Sequence, residues 1–327
     1  MSTLFRARMR TAGAALALSL SATACGTLDG GAGATLPAAL TPGEVAGSVT
    51  VGADGDPAAL VQGLQDAITA GGGRVAAVVD HAAAARAAGV QIPPNTVVIG
   101  GPDAANTGMA RFDPRAGGVL PAPFQVRQDA AGKTVLSYDS IDYLAALSNV
   151  SDVAVRQPLA DANAAILDGV APAAAEATAA PLIGVTPVDY LLTAISDGTI
   201  AAAVTALQRE GDRGGNNVLA TLEFVPDTGR PRATDPPGTP APPRASTAVL
   251  ISRPAAEAPL LATAPSIGLD LPLRFVVYID DRNRTAIGYP DIRRIALRHG
   301  IPADSADVVA LAAEADRIAR ISAGGDP

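Results

Sequence analysis

Two histidines, a few acidic and basic residues and five tyrosines carry whatever chemistry this 327-residue chain performs. Asp80-His81 is the first candidate for catalysis. A carboxylate beside an imidazole can orient it or bias its protonation. Adjacent residues at a strand end point in different directions, however, and Asp80 is equally suited to cap a helix that starts at the next residue. His299 precedes Gly300 at an expected helix end, where a cation complements the helix dipole. Asp270 and Arg274 flank Leu271-Pro272. A guanidinium there, near Tyr289, suits a carboxylate or phosphate, and an ion pair is its structural use. The candidate ligand contacts are His299, Arg274, Tyr289 and Tyr138.

Other chemistries are excluded by count or spacing. One cysteine cannot build a Cys-rich zinc or iron–sulfur site, and two histidines cannot build a three-His site. No metal and no cofactor is expected. Gly132-Lys133-Thr134 is similar to the end of a phosphate-binding loop, but Arg127 stands where the earlier glycine is required. No Gly-x-Ser-x-Gly elbow, His-Glu-x-x-His helix or dinucleotide glycine fingerprint occurs. With 48% apolar residues, 3% aromatics and no Trp, the core must be built from Ala, Val, Leu and Ile.

The lone Cys25 follows Arg6, Arg8, Arg10, the short apolar stretch Ala12–Leu20 and Ala22-Thr23-Ala24. Residues 1–24 read as a signal peptide, and the stretch is too short for an ordinary membrane-spanning helix. Ala-Thr-Ala fits a signal peptidase site. The same residues before a cysteine also resemble a bacterial lipobox, with Ala22 where Leu is usual, and Cys25 would then be the lipidated residue. An uncleaved anchor is the third reading. Several acyl chains anchor stably, at about 0.8 kcal/mol per buried methylene. Removing the leader with its three arginines takes the formal charge from −8 to −11. So acidic a chain lacks the basic footprint of a nucleic-acid binder.

The elements that must position these residues occur twice. Pro102 and Pro254 are 152 residues apart, while Pro114/Pro265, Pro121/Pro272 and Tyr138/Tyr289 are each 151 apart. A near-constant offset argues for duplication. Periodicity and turn residues predict a β-α-β-(α)-β-β-β-α order in each half, an α+β domain with helices mainly on one face of a mixed sheet. Pro226–Ser246, with seven prolines, replaces the first half's Ala-rich helix after His81 with a loop. The expected organisation is a flexible tether at 25–47 and a first repeat at 48–150. An Ala/Pro-rich connection follows at 151–187, then a second repeat at 188–302 with its loop at 226–246. A C-terminal helix and tail occupy 303–327.

Ala264-Pro265-Ser266-Ile267-Gly268-Leu269-Asp270-Leu271-Pro272-Leu273-Arg274, followed by a Tyr-containing strand and Leu297-Arg298-His299-Gly300-Ile301, resembles the signature of the DUF302 family, also called TT1751-like. Val79-Asp80-His81-Ala82-Ala83-Ala84-Ala85 and Ile99-Gly100-Gly101-Pro102 resemble the family's Asp-His-Ala-Ala segment and its Phe-Gly-Asn-Pro turn. The resemblance covers about 48–150 and 190–302. It implies an α+β fold of unknown function whose members often dimerise, so a tandem pair would be a built-in pseudo-dimer. Each half keeps one of the family's two recurrent histidines, since the second half lacks a match to His81 and Ser148 stands opposite His299.

The leading expectation is a non-catalytic, membrane-tethered binding or interaction module outside the cytoplasm, with a small ligand or an envelope protein as partner. One alternative is an enzyme using His81 with Asp80, Arg274 or Tyr289 in a cleft between repeats. The other is a structural envelope protein.

Overall fold

The structure, a computed structural model, describes residues 40, 43–183, 190–229 and 242–325. Cys25, the expected leader, most of the expected tether and the middle of the Pro-rich loop lie outside the described residues.

The first half runs β1 (Ser48–Gly52), α1 (Pro57–Ala70), β2 (Arg74–Asp80), α2 (His81–Ala87), β3 (Asn95–Gly101) and α3 (Asp103–Phe112). A 3-10 turn (Pro114–Gly118), β4 (Pro123–Gln128), β5 (Thr134–Asp139), α4 (Ile141–Ser148), α5 (Val153–Val170) and the single turn α6 (Pro172–Ala175) follow. The second half runs β6 (Leu191–Ser196), α7 (Ile200–Gly211), β7 (Asn217–Val225), β8 (Ser246–Ser252) and α8 (Pro254–Thr263). A second 3-10 turn (Pro265–Leu269), β9 (Leu273–Ile279), β10 (Thr285–Pro290), α9 (Ile292–Arg298) and α10 (Ala306–Ser322) complete it. The sheets have matching orders, β1-β5-β4-β3-β2 and β6-β10-β9-β8-β7. Every strand pairing is antiparallel, not mixed as expected.

Local chemistry sets the elements. Asp56 caps α1 ahead of Pro57, whose missing N–H costs nothing at a first helical position. The hairpins use one device twice. Asp129 accepts from the backbone N–H of Ala131 and Lys133, and Asp280 from Arg282 and Arg284. Gly132 and Asn283 take the left-handed position in each turn, at φ 76° and 60°. Sequence reading passed over α3 and α8. Asn106, Thr107 and Gly108 weaken the first, and the interior Pro259 the second; packing overrides propensity in both. The segment expected as a connection contains α5, which packs on α1, α3 and α4 as α10 packs on α7, α8 and α9. Val45 and Ala46, expected in the tether, are buried.

The halves interlock through their 3-10 turns. The first turn packs on β8, β9 and β10, the second on β3, β4 and β5. One face of each sheet carries its own helices and the other receives the opposite half, so β5, β8, β9 and β10 are buried along their whole length. Asn95 and Gln125 both donate to the Pro265 carbonyl at 2.8 Å. In the reverse direction, Ser246 of the second half donates to the Pro114 carbonyl of the first at 2.7 Å. The main apolar core spans both halves, from Leu64 and Phe124 to Phe275 and Leu311.

Candidate functional site

The second 3-10 turn brings both histidines to one place. His81 opens α2, is fully buried, and meets the Gly268 carbonyl through Nε2 at 3.1 Å. The carbonyl can only accept, so Nε2 carries the proton. Nδ1 is then a bare acceptor, without a partner among the described residues. Asp80 does not orient the ring. Its carboxylate accepts from the Ala83 N–H at 2.8 Å and caps α2. Burial outweighs the carbonyl bond and the Asp80 charge and lowers the His81 pKa to about 4. His81 is therefore neutral at pH 7.

His299 reaches the same turn two residues earlier. Its Nδ1 is 2.9 Å from Ser266 Oγ and its Nε2 is 2.6 Å from Asp270 Oδ2. Burial lowers its pKa despite the Asp270 bond. The expectation of a cation at the helix end is thus corrected. The ring is neutral, donates from Nε2 to Asp270, and accepts the Ser266 hydroxyl at Nδ1.

Asp270 leads into the charged centre between the halves. Arg298 Nη1 spans both Asp270 oxygens at 3.0 and 2.8 Å, Nη2 meets Asp139 of β5, and Nε donates to the Ala46 carbonyl at 2.9 Å. The guanidinium also lies 3.6 Å from the centre of the Tyr143 ring. Burial alone would raise Asp270, but Arg298 and His299 outweigh it and hold its pKa at about 2. For Asp139, burial outweighs the attraction of Arg298, and with the Asp270 charge nearby its pKa rises to about 6.

Arg274 stands on β9 at the edge of this group. Its Nη1 donates to the Val119 carbonyl at 2.6 Å, while Nε and Nη2 have no partner among the described residues. Among the described residues, Arg274 does not form the expected ion pair. The cavity it lines, with Asp139, Tyr143, Tyr190 and Asp270, has a volume of about 10 Å³, which is the room of one water. Tyr138 and Tyr289 are not at this cavity. Tyr289 donates to Asp316 of α10 at 2.7 Å and stacks on Phe275, and Tyr138 donates to the Ala174 carbonyl at 2.8 Å. The residues missed by sequence reasoning are Asp139, Tyr143, Tyr190 and Arg298.

An open hollow of about 300 Å³ lies elsewhere between the halves. The first half supplies Phe112, Asp113, Arg115 and Asn149 to its walls, and the second supplies Arg244, Tyr278, Asp280 and Asp281. Arg115 grips both Asp113 oxygens, Arg244 pairs with Asp281, and Arg284 pairs with Asp280.

One pH effect follows from His81. Its folded pKa lies below the unfolded value of about 6.5, so the unfolded chain takes the proton first. Stability from the neutral ring is complete above pH 6.5 and falls as pH drops toward 4. At about 1.4 kcal/mol per unit, the total is about 3 kcal/mol. Glu257, raised to about 7 by burial, and Asp139 act in the opposite direction. The measurement is therefore a difference. Urea unfolding of His81→Gln should lose less stability than the parent between pH 6.5 and 4. Parallel pH curves for the two proteins would contradict the buried neutral assignment.

The family model described as "Domain of unknown function DUF302" matches residues 48–170 and 242–321. These spans end at α5 and α10, taking each helix into its repeat. No curated protein matches the chain. Among solved structures, the chain is similar to an uncharacterized conserved DUF302 protein from Bacillus stearothermophilus. That match has 15% identity and a TM-score of 0.33, and covers 41% of this chain and 98% of the other.

Proposed function

We propose, for a chain that belongs to the DUF302 family, a non-catalytic binding module tethered by lipid on Cys25 to the extracytoplasmic face of a membrane. Its two repeats act as a fixed pseudo-dimer, and the ligand occupies the open hollow between them. One contrast carries the reading. Asp139, Asp270 and Arg274 line a cavity of only about 10 Å³, whereas the hollow of about 300 Å³ is open and walled by both repeats. General acid–base work needs a group within reach of a bound substrate. Neither His81 nor His299 offers this, with 0% and 8% of their surface exposed. The hollow offers ion pairs of both signs beside Tyr278 and the half-exposed Phe112. Such walls suit a small zwitterion or a short peptide.

Two measurements on the full chain test this. Cys25→Ser should move the protein from the membrane to the soluble fraction and abolish labelling by a clickable fatty acid. Glycylphenylalanine, titrated onto the parent, should bind at least tenfold more tightly than to Arg115→Ala/Arg244→Ala. Unchanged partition would remove the tether, and unchanged affinity would remove the hollow. Turnover of any substrate that disappears in His81→Gln would replace the reading with an enzyme.

A further inference from the structure

The first half contains a second hollow, of about 200 Å³, where α5 stands over the β1–β5 edge. It shares no wall residue with the hollow between the halves. Its walls include Tyr138, Ala160, Ala164, Ala175, Ala179 and Asn163. Asn163 is only 5% exposed, and its Oδ1 has no hydrogen-bond partner among the described residues. An unmet buried acceptor is destabilising, so its position in the wall of a hollow needs an explanation.

The duplication provides an internal control. Asn163 is the eleventh residue of α5, and Asp316 is the eleventh residue of α10. In the second half, the hydroxyl of Tyr289 donates to Asp316 at 2.7 Å. Its counterpart Tyr138 donates instead to the Ala174 carbonyl at 2.8 Å. The Tyr138 hydroxyl thus goes elsewhere, and Asn163, in the wall of the hollow, keeps an unmet acceptor.

We infer that this hollow is a binding site for a small neutral molecule with an aliphatic body and one hydrogen-bond donor, such as an alcohol or primary amide, which donates to Asn163. The donor follows from the unmet oxygen. Neutrality follows from the charge of the walls: their one carboxylate, Asp139, is already held by Arg298, so a cation finds no free counter-charge and an anion is repelled. The volume lies below the roughly 300–1,000 Å³ of sites for drug-sized ligands, so the ligand is of fragment size.

Cyclohexanol and cyclohexanone separate shape from donation, because the ketone keeps the ring and lacks the donor. Titrated onto the full chain and followed by amide NMR, cyclohexanol should shift the signals of Ala160, Asn163 and Ala164. It should bind at least tenfold more tightly than cyclohexanone. Asn163→Leu should fold with an unfolding midpoint no lower than the parent's and lose the preference for the alcohol. Ala164→Phe should fill the hollow and abolish both shifts. Equal affinity for the two probes, or no shift at these residues in the parent, would overturn the assignment. So would a lowered midpoint in Asn163→Leu together with shifts that persist in Ala164→Phe. None of these results bears on the hollow between the halves, which has separate walls and a separate ligand test.

Discussion

Arg298→Met should lower the unfolding free energy by about 3–5 kcal/mol, the usual cost of removing one partner from a buried ion pair. That is a large share of the roughly 5–15 kcal/mol that holds a domain folded. Arg298, Asp139 and Asp270 have side chains only 5%, 4% and 4% exposed, so water cannot replace the lost charge. Arg298→Lys should recover little. An ammonium is a compact charge with three donors, whereas the guanidinium serves Ala46, both Asp270 oxygens and Asp139 while standing over the Tyr143 ring.

The pH dependence gives this prediction a second reading. In the parent, Asp270 titrates at about 2, below its unfolded value, so its contribution is present above the unfolded pKa and is lost as pH falls toward 2. In Arg298→Met both carboxylates lose their counter-charge and their folded pKa values rise. Their contribution then becomes largest at low pH and disappears as pH rises through the new values. Adding Asp139→Asn to Arg298→Met should recover part of the loss at pH 7. A cost below 1 kcal/mol, or an unchanged pH slope, would mean that the centre does not lock the halves.

Gly268→Ala should cost about 1–3 kcal/mol, as expected for overpacking in a tight interface. A Cβ at Gly268 would lie 2.6 Å from Gln125 Nε2, 2.9 Å from His81 Cδ2 and 3.1 Å from Asn95 Oδ1. Those groups belong to the other half, and two of them hold the Pro265 carbonyl of the same turn. Gly117→Ala should behave alike, because its Cβ would lie 2.8 Å from Ser246 Oγ and 2.9 Å from Val276 Cγ2. Ser246 and Val276 stand in the second half where Asn95 and Gln125 stand in the first. Gly108→Ala is the control. It sits in α3 with nothing within 4 Å of its Cβ, so it should be neutral or gain up to about 1 kcal/mol. Chemical denaturation of the three variants compares them directly. Equal effects at Gly108 and Gly268 would contradict the interlock.

Much of this arrangement was legible in the repeat. The offset of 151 residues aligns Pro114 with Pro265 and Tyr138 with Tyr289, and the same offset relates the two interlocking glycines. Apolar runs bounded by turn residues located the strands, several of which are covered on both faces. The charged centre was not legible, because its partners lie far apart in the chain. Arg298 and Asp139 are separated by 159 positions, and no local spacing joins them. A signal was nevertheless available. The repeat places Pro290 opposite Asp139 and Leu147 opposite Arg298, so both charges are unmatched in the duplicated half. Unmatched charges in a buried repeat must find each other across the interface. His299 was read as a helix-end cation because sequence shows the helix end but not the burial. Asp80 was the reverse case, since its capping chemistry is local.

Scanning calorimetry of the full chain tests most directly whether the repeats form one closed unit. The interlocked turns, the shared core and the Arg298 centre predict a single transition whose calorimetric and van't Hoff enthalpies agree. Two separable transitions, or a calorimetric enthalpy near twice the van't Hoff value, would show that the repeats melt independently, and the pseudo-dimer account would fail.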